Sequence, residues 1–171
     1  MEYTKVKLGD IGKVISGGTP STKIAEYWDG DIPWITPKDL SKYSRRYIRY
    51  GQRYISKKGL LKSGAQIIKK NSILFSTRAP VGYIAISQND ITTNQGFKSL
   101  EVDQEVAYTN YVYYQLIKKT QQIENMASGS TFREVSKTQF ENIELNLPSL
   151  EEQKRIADIL TALDDKIELN N

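Results

Sequence analysis

The 171-residue sequence contains no cysteine and no histidine. The first absence excludes disulfides and thiolate chemistry. The second removes the usual acid–base side chain, and together they remove the usual zinc ligands. A Ser-His-Asp triad cannot be assembled. No stretch approaches roughly 18 uncharged apolar residues, so no membrane-spanning helix is expected. The opening MEYTKVKLGD carries no apolar signal segment. A reducing, cytoplasmic setting fits these omissions. Phosphate-binding glycine motifs and the G-x-S-x-G elbow are missing as well. Asn146-Leu147-Pro148-Ser149 lacks the Pro-Pro-aromatic string of an adenine methyltransferase loop. Glu152-Gln153-Lys154 carries half of a nuclease acid pattern, but on a predicted helix. Asp29/Asp31 and Asp164/Asp165 read as solvated charge. Neither catalysis nor a metal site is expected.

What is present is ordinary globular material, 39% hydrophobic and 26% charged, of a length that suits one domain with an appendage. The net charge of +4 is unevenly spread. Between Pro37 and Lys70, eleven basic residues face a single acid, Asp39, so this segment carries +10 and the remainder −6. Tyr43, Tyr47, Tyr50 and Tyr54 are interleaved with the charges. Lys38, Lys42, Arg45, Arg46, Arg49, Arg53, Lys57 and Lys58 are dense enough to follow a polyanion backbone. A solvated surface of an amphipathic element is the competing reading.

Residues 1 to 15, with Leu8, Ile11, Val14 and Ile15 at helical spacing, predict a lead-in and short helix that SGGTPST (16–22) ends. Residues 59–87 and 91–102 hold short apolar runs between turn formers and read as strands. From Asp103 the period changes, and the segment from Val106 to Ala127 predicts a helix of about five turns. A short helical turn is expected within 135–140, and a last strand over 143–148. Ser149 and Glu152 have capping-box spacing. After them Ile156, Leu160, Leu163 and Ile167 recur at intervals of 4, 3 and 4, which is the seam of a coiled coil or of a docking helix. The seam still runs where the sequence ends. Either the helix is cut short or it lies on its own domain.

Three polar loops separate the apolar strands. STRAPVG holds Arg78, TTNQG holds Thr93, Asn94 and Gln95, and SGSTFRE holds Ser128, Ser130, Thr131 and Arg133. Arginine suits guanine O6/N7, and Asn or Gln suits adenine N6/N7. Ordinary turn chemistry competes at each single position.

The strings KLGDIGKVISGGTPST (7–22), YWDGDIPWITPKDL (27–40), SILFSTRAPVGYIAI (72–86), ITTNQGFKSL (91–100), 127–160 and LDDKIELNN (163–171), in this order, resemble the specificity subunit of type I restriction–modification systems. The resemblance covers essentially the whole chain. It implies an α+β fold: a target-recognition domain at 1–148, with a mixed or antiparallel twisted β-sheet flanked by helices, then a C-terminal amphipathic spacer helix at 149–171. It implies recognition of one half of a split double-stranded DNA site, without catalysis in this chain. The residues of the basic segment and the polar loops read as DNA-binding are Lys38, Lys42, Arg45, Arg46, Arg49, Arg78, Thr93, Asn94, Gln95, Ser130, Thr131 and Arg133. Ile156, Leu160, Leu163 and Ile167 would bind a modification (methyltransferase) subunit, a second copy or a second half-subunit. S-adenosylmethionine, ATP and Mg2+ would belong to the modification and restriction subunits. A complete subunit of that family has two recognition domains and two long helices. This sequence has one domain and a short helix, so it reads as a half-subunit or a fragment. A protein-interaction fragment that docks or modulates the methyltransferase without reading DNA is the alternative.

Overall fold

The computed structural model describes residues 2–129, 131 and 133–170. Strand β1 (Thr4–Lys7) leads through a single 3-10 turn at Leu8–Asp10 into β2 (Gly12–Ser16). The short helix expected within 1–15 is therefore not formed. Leu8, Ile11, Val14 and Ile15 are all buried, as their spacing implied, but they reach the interior from a turn and a strand. β2 lies in a sheet covered on both faces, so adjacent Val14 and Ile15 enter two different cores. A two-sided strand and a helix stripe give similar short patterns.

Next come β3 (Trp28–Ile35), α1 (Pro37–Leu40), β4 (Tyr47–Ile48), β5 (Arg53–Ile55) and α2 (Lys57–Leu61). Gly59 to Leu61 thus sit in a helix rather than at the start of the β region. Ser56 caps α2 by accepting the Gly59 N–H at 3.0 Å. The expected strands follow as β6 (Ile73–Thr77), β7 (Val81–Ser87), β8 (Thr92–Thr93) and β9 (Phe97–Val102). Helix α3 (Thr109–Met126), the short α4 (Lys137–Glu141), β10 (Glu144–Leu147) and α5 (Leu150–Leu169) complete the chain.

The central sheet has the order β2-β9-β6-β7-β4, antiparallel except where β4 runs parallel to β7. A three-stranded sheet, β5-β3-β8, contains one parallel pair, and β1 pairs antiparallel with β10. Strand alternation separates the cores. Ile73 and Phe75 point to one face, where Tyr111, Val112 and Leu116 of α3 and Phe140 of α4 cover them. Leu74 points to the other, among Ile35, Ile68, Ile91 and Phe97. A smaller cluster gathers Trp28, Trp34, Ile55 and Ala65. No helix is long and apolar enough to cross a membrane among the described residues.

Helix α5 lies on α3. Gln153 and Ala157 are its buried residues, not the 156/160/163/167 seam. The Gln153 amide fixes this contact, accepting the Tyr108 N–H and donating to Pro148 O, both at 3.0 Å. Ile156 and Leu160 are half-buried, whereas Leu163 is 53% and Ile167 58% exposed. The helix therefore packs on its own domain through one face and leaves much of the seam open. Half of the expected capping box is present. Ser149 Oγ accepts the Glu152 N–H at 3.3 Å, while the Glu152 carboxylate turns to Arg155.

Candidate nucleic-acid interface

The β6–β7, β8–β9 and 128–134 loops meet at one end of the central sheet. Thr77 N–H donates to Gly96 O at 2.8 Å, joining the first to the second. Val135 N–H donates to Thr77 O at 3.0 Å, and Arg78 and Glu134 form an antiparallel bridge, joining the first to the third. Ser128 and Glu134 close the third loop on itself by reciprocal backbone hydrogen bonds of 3.0 and 3.2 Å. Arg78, Pro80, Val81, Glu124, Thr131 and Arg133 are among the residues lining a cleft of about 600 Å³ there. The Ala79–Pro80 bond in its wall is cis.

Within the β8–β9 loop, Asn94 Oδ1 accepts the Gly96 N–H at 2.9 Å, a turn-forming contact. Gln95 is exposed beside Thr19, with its Oε1 in hydrogen-bond contact with the threonine hydroxyl. Thr93 is fully buried. Its backbone carbonyl accepts the Gly18 N–H at 2.9 Å, and its side chain lies under Gly17. Thr93 thus holds the loop and does not reach its surface. Arg133 donates to Ala127 O at 3.2 Å through Nη2 and keeps an exposed guanidinium. Ser130 lies outside the described residues.

The basic segment runs away from the cleft along β7. Arg45 borders a concavity of about 310 Å³ with Gly82, Tyr83 and Tyr43. Tyr43 also borders a neighbouring one of about 450 Å³, with Lys38, Lys42 and Tyr50. Val81 lines the cleft, Gly82 and Tyr83 line the second hollow, and Tyr43 is common to the second and the third. Lys38, Lys42, Arg45 and Arg49 are exposed along this segment. Its lone acid is already engaged. Asp39 accepts the Thr36 N–H at 2.7 Å, the Thr36 hydroxyl at 2.8 Å and the Gln52 N–H at 2.9 Å. Other cations are neutralised locally: Lys58 pairs with Glu26 at 2.6 Å and Lys69 with Asp90 at 2.8 Å.

Arg46 departs from the expected phosphate-contacting role. It is only 5% exposed. Nη2 donates to Asp165 Oδ1 at 2.8 Å, Nη1 donates to the Tyr114 hydroxyl at 3.1 Å, and the backbone N–H donates to Glu168 Oε1 at 3.0 Å. Tyr114 in turn donates to Asp164 Oδ2 at 2.6 Å. Burial, and then this bond to the ionised carboxylate, push Tyr114 up to about 12. Desolvation works against the Arg46 charge, yet the hydrogen bonds to Asp165 and Tyr47 leave its pKa above the ordinary value. A guanidinium buried against α5 in this way is out of reach of a polyanion, although its Nε keeps no partner among the described residues. Asp164 and Asp165, expected to be solvated charge, pair with it while their side chains stay 37% and 55% exposed.

Two features escaped the sequence reading. Arg53 stacks on Trp28 with its guanidinium carbon 3.6 Å from the ring centre, a cation–π contact. Trp28 gave the aromatic cue, but the pairing needs β3 beside β5. Lys98, whose side chain is 8% exposed, pairs with Glu134 at 3.2 Å. Nothing local marks a lysine inside FKSL as buried. Among the described residues, no cluster of three or more His, Cys, Asp or Glu could hold a metal ion.

Comparison with known proteins accounts for this arrangement. The chain is 45% identical over 164 residues to the MjaIX specificity subunit of Methanocaldococcus jannaschii, with 95% of this chain and 38% of that protein covered. It is 30% identical over 164 residues to the EcoR124I/EcoR124II specificity subunit of Escherichia coli, with 92% and 40% covered. The chain thus spans about two-fifths of the length of these relatives. The fold matches a solved HsdS subunit from Thermoanaerobacter tengcongensis with a TM-score of 0.76 at 19% identity, covering 98% of this chain and 38% of that one. The S subunit from M. genitalium matches with a TM-score of 0.71 at 16% identity, covering 98% and 40%. The type I restriction modification DNA specificity domain matches over residues 1–171, and the chain therefore belongs to that family.

Proposed function

We propose that this chain reads one half of a split double-stranded DNA site for a type I restriction–modification complex, and that it carries no catalytic step itself. The observation that carries this reading is the convergence of the three polar loops at one end of the sheet, in a chain whose 38–49 segment exposes four cations. Arg78, Gln95, Thr131 and Arg133 offer donors and acceptors at one end of the sheet, where base edges would be read. Lys38, Lys42, Arg45 and Arg49, exposed along the segment that runs beside β7, would supply the sequence-independent phosphate attraction. Adenine methylation and cleavage, with S-adenosylmethionine, ATP and Mg2+, are assigned to modification and restriction subunits in the cytoplasm. The open seam of α5 suits docking of the modification subunit or of a second copy, and residues 149–171 form the helical unit that serves it. That open face also favours the second reading, a docking fragment that does not touch DNA.

Duplex binding measured across a salt series separates the two. Lys42→Ala with Arg45→Ala is expected to weaken binding to every duplex and to shrink the slope of log K against log salt by about 1.8, at about 0.9 per neutralised phosphate. Arg78→Ala is expected to cost about 1–3 kcal/mol on a preferred sequence and little on a shuffled one. Salt-independent or absent duplex binding would leave only the docking role.

A further inference from the structure

We propose that Glu134 is a specificity-determining positioning residue: held by the buried Lys98 ammonium, it orients the Arg78 guanidinium toward a base edge and keeps it from acting as a free phosphate ligand. This rests on the DNA-reading function proposed above. Lys98 lies on β9 and is almost wholly inaccessible. A buried ammonium requires a partner, and Lys98 Nζ donates to Glu134 Oε1 at 3.2 Å. Glu134 is thereby fixed by a charge that water does not reach. Its other oxygen, Oε2, lies 3.9 Å from Arg78 Nη1. Arg78 and Glu134 are directly opposed in the antiparallel bridge, so their side chains emerge on the same face.

The two contacts differ in kind. The Lys98 contact is a hydrogen bond from an almost inaccessible ammonium to a partly exposed carboxylate. The Arg78 contact is too long for a hydrogen bond and is partly exposed, so the guanidinium stays within the carboxylate's field while its donors remain open. An arginine in that position keeps its direction and can offer two parallel N–H groups to a guanine edge. A carboxylate at the same spot repels any phosphate that would claim Arg78 in a wrong register, which is discrimination by an unfavourable contact. Without it, the cleft gains one unit of positive charge and Arg78 becomes one more phosphate neutraliser.

Glu134→Gln keeps the shape and an acceptor for Lys98. The probes are a duplex recovered by the wild-type chain from a randomised library and a shuffled duplex of the same composition. The variant is expected to bind the shuffled duplex more tightly, with a salt slope steeper by about 0.9. Its preference for the selected duplex is expected to fall about 10-fold, as for loss of one well-formed base contact. Lys98→Met with Glu134→Gln, which removes the buried charge together with its partner, is expected to do the same. Adding Arg78→Gln to Glu134→Gln should cancel the gain on the shuffled duplex. Equal weakening on both duplexes, or no change in slope or preference, overturns the proposal, since a brace that only supports the fold gives the former. Arg78→Gln alone leaves the buried pair intact and tests the premise that Arg78 reads a base: loss confined to the selected duplex is expected, and equal loss on both overturns the proposal. A wild-type chain without salt-dependent duplex binding overturns the DNA-reading function and this inference together, whereas salt-dependent binding with an unaltered Glu134→Gln overturns this inference alone.

Discussion

Arg46 shows how little a residue's type and neighbours reveal about its role. It sits in the most cationic stretch of the sequence, between Arg45 and Tyr47, and looks like one phosphate ligand among many. Its decisive partner, Asp165, lies 119 residues away and is brought to it only when α5 settles on α3. Arg45 next to it stays exposed, as do the residues from Ser41 onward, and only at Arg46 does the chain turn inward toward α5. Replacing Arg46 with Met removes hydrogen bonds to α5 and leaves Asp164 and Asp165 without their cation. Both carboxylates retain access to water, so the expected cost is about 1–3 kcal/mol, below that of breaking a fully buried pair. Urea unfolding measures this cost. The salt slope of duplex binding is expected to stay at its wild-type value in Arg46→Met, and a decrease of about 0.9 would return Arg46 to the DNA surface.

The elements were legible where a period persisted. The strands between 73 and 102, the helices at Thr109–Met126 and Leu150–Leu169 and the loops between them fall where the sequence places them. The opening was misread because a strand buried on both faces has no alternation to show. The three polar loops were legible as loops. Their meeting point was not, since it depends on β6 lying between β7 and β9 and on a bridge across 56 residues from Arg78 to Glu134. The SGGTPST segment, read only as a terminator, also supports one of these loops. A Cβ on Gly17 would lie 2.0 Å from Asn94 O and 2.3 Å from Thr93 Oγ1, so the backbone approach there requires glycine. Gly17→Ala must displace the 94–96 turn. We expect a destabilisation of about 1–3 kcal/mol from the forced shift, seen as a lower thermal midpoint, with binding to a selected duplex weakened more than binding to a shuffled one. An unchanged preference would mean that the 94–96 turn does not touch bases.

At the scale of the whole molecule, one end of the central sheet gathers the three polar loops while α5 leaves apolar side chains exposed. Ile159, Leu163, Ile167 and Leu169 are exposed along it. Leu163→Asp with Ile167→Asp should leave the stability of the domain within about 0.5 kcal/mol, because neither side chain is buried in it. The same pair should abolish association with the modification subunit or with a second copy, as read from the mass in light scattering. Retained association would place that interface elsewhere. The Arg46 attachment then acquires a mechanical meaning. Arg46 belongs to the stretch that carries the four exposed cations, and its partners Asp164, Asp165 and Glu168 lie in the last two turns of a 20-residue helix. Such a helix is a lever arm of about 30 Å. A tilt of about 10° about its start would swing its far end by about 5 Å, more than one base-pair step of about 3.4 Å. Under the proposed DNA-reading function, the bonds from Arg46 and Tyr114 that pin that far end would set the angular tolerance with which a partner docked on the helix is aimed along the duplex.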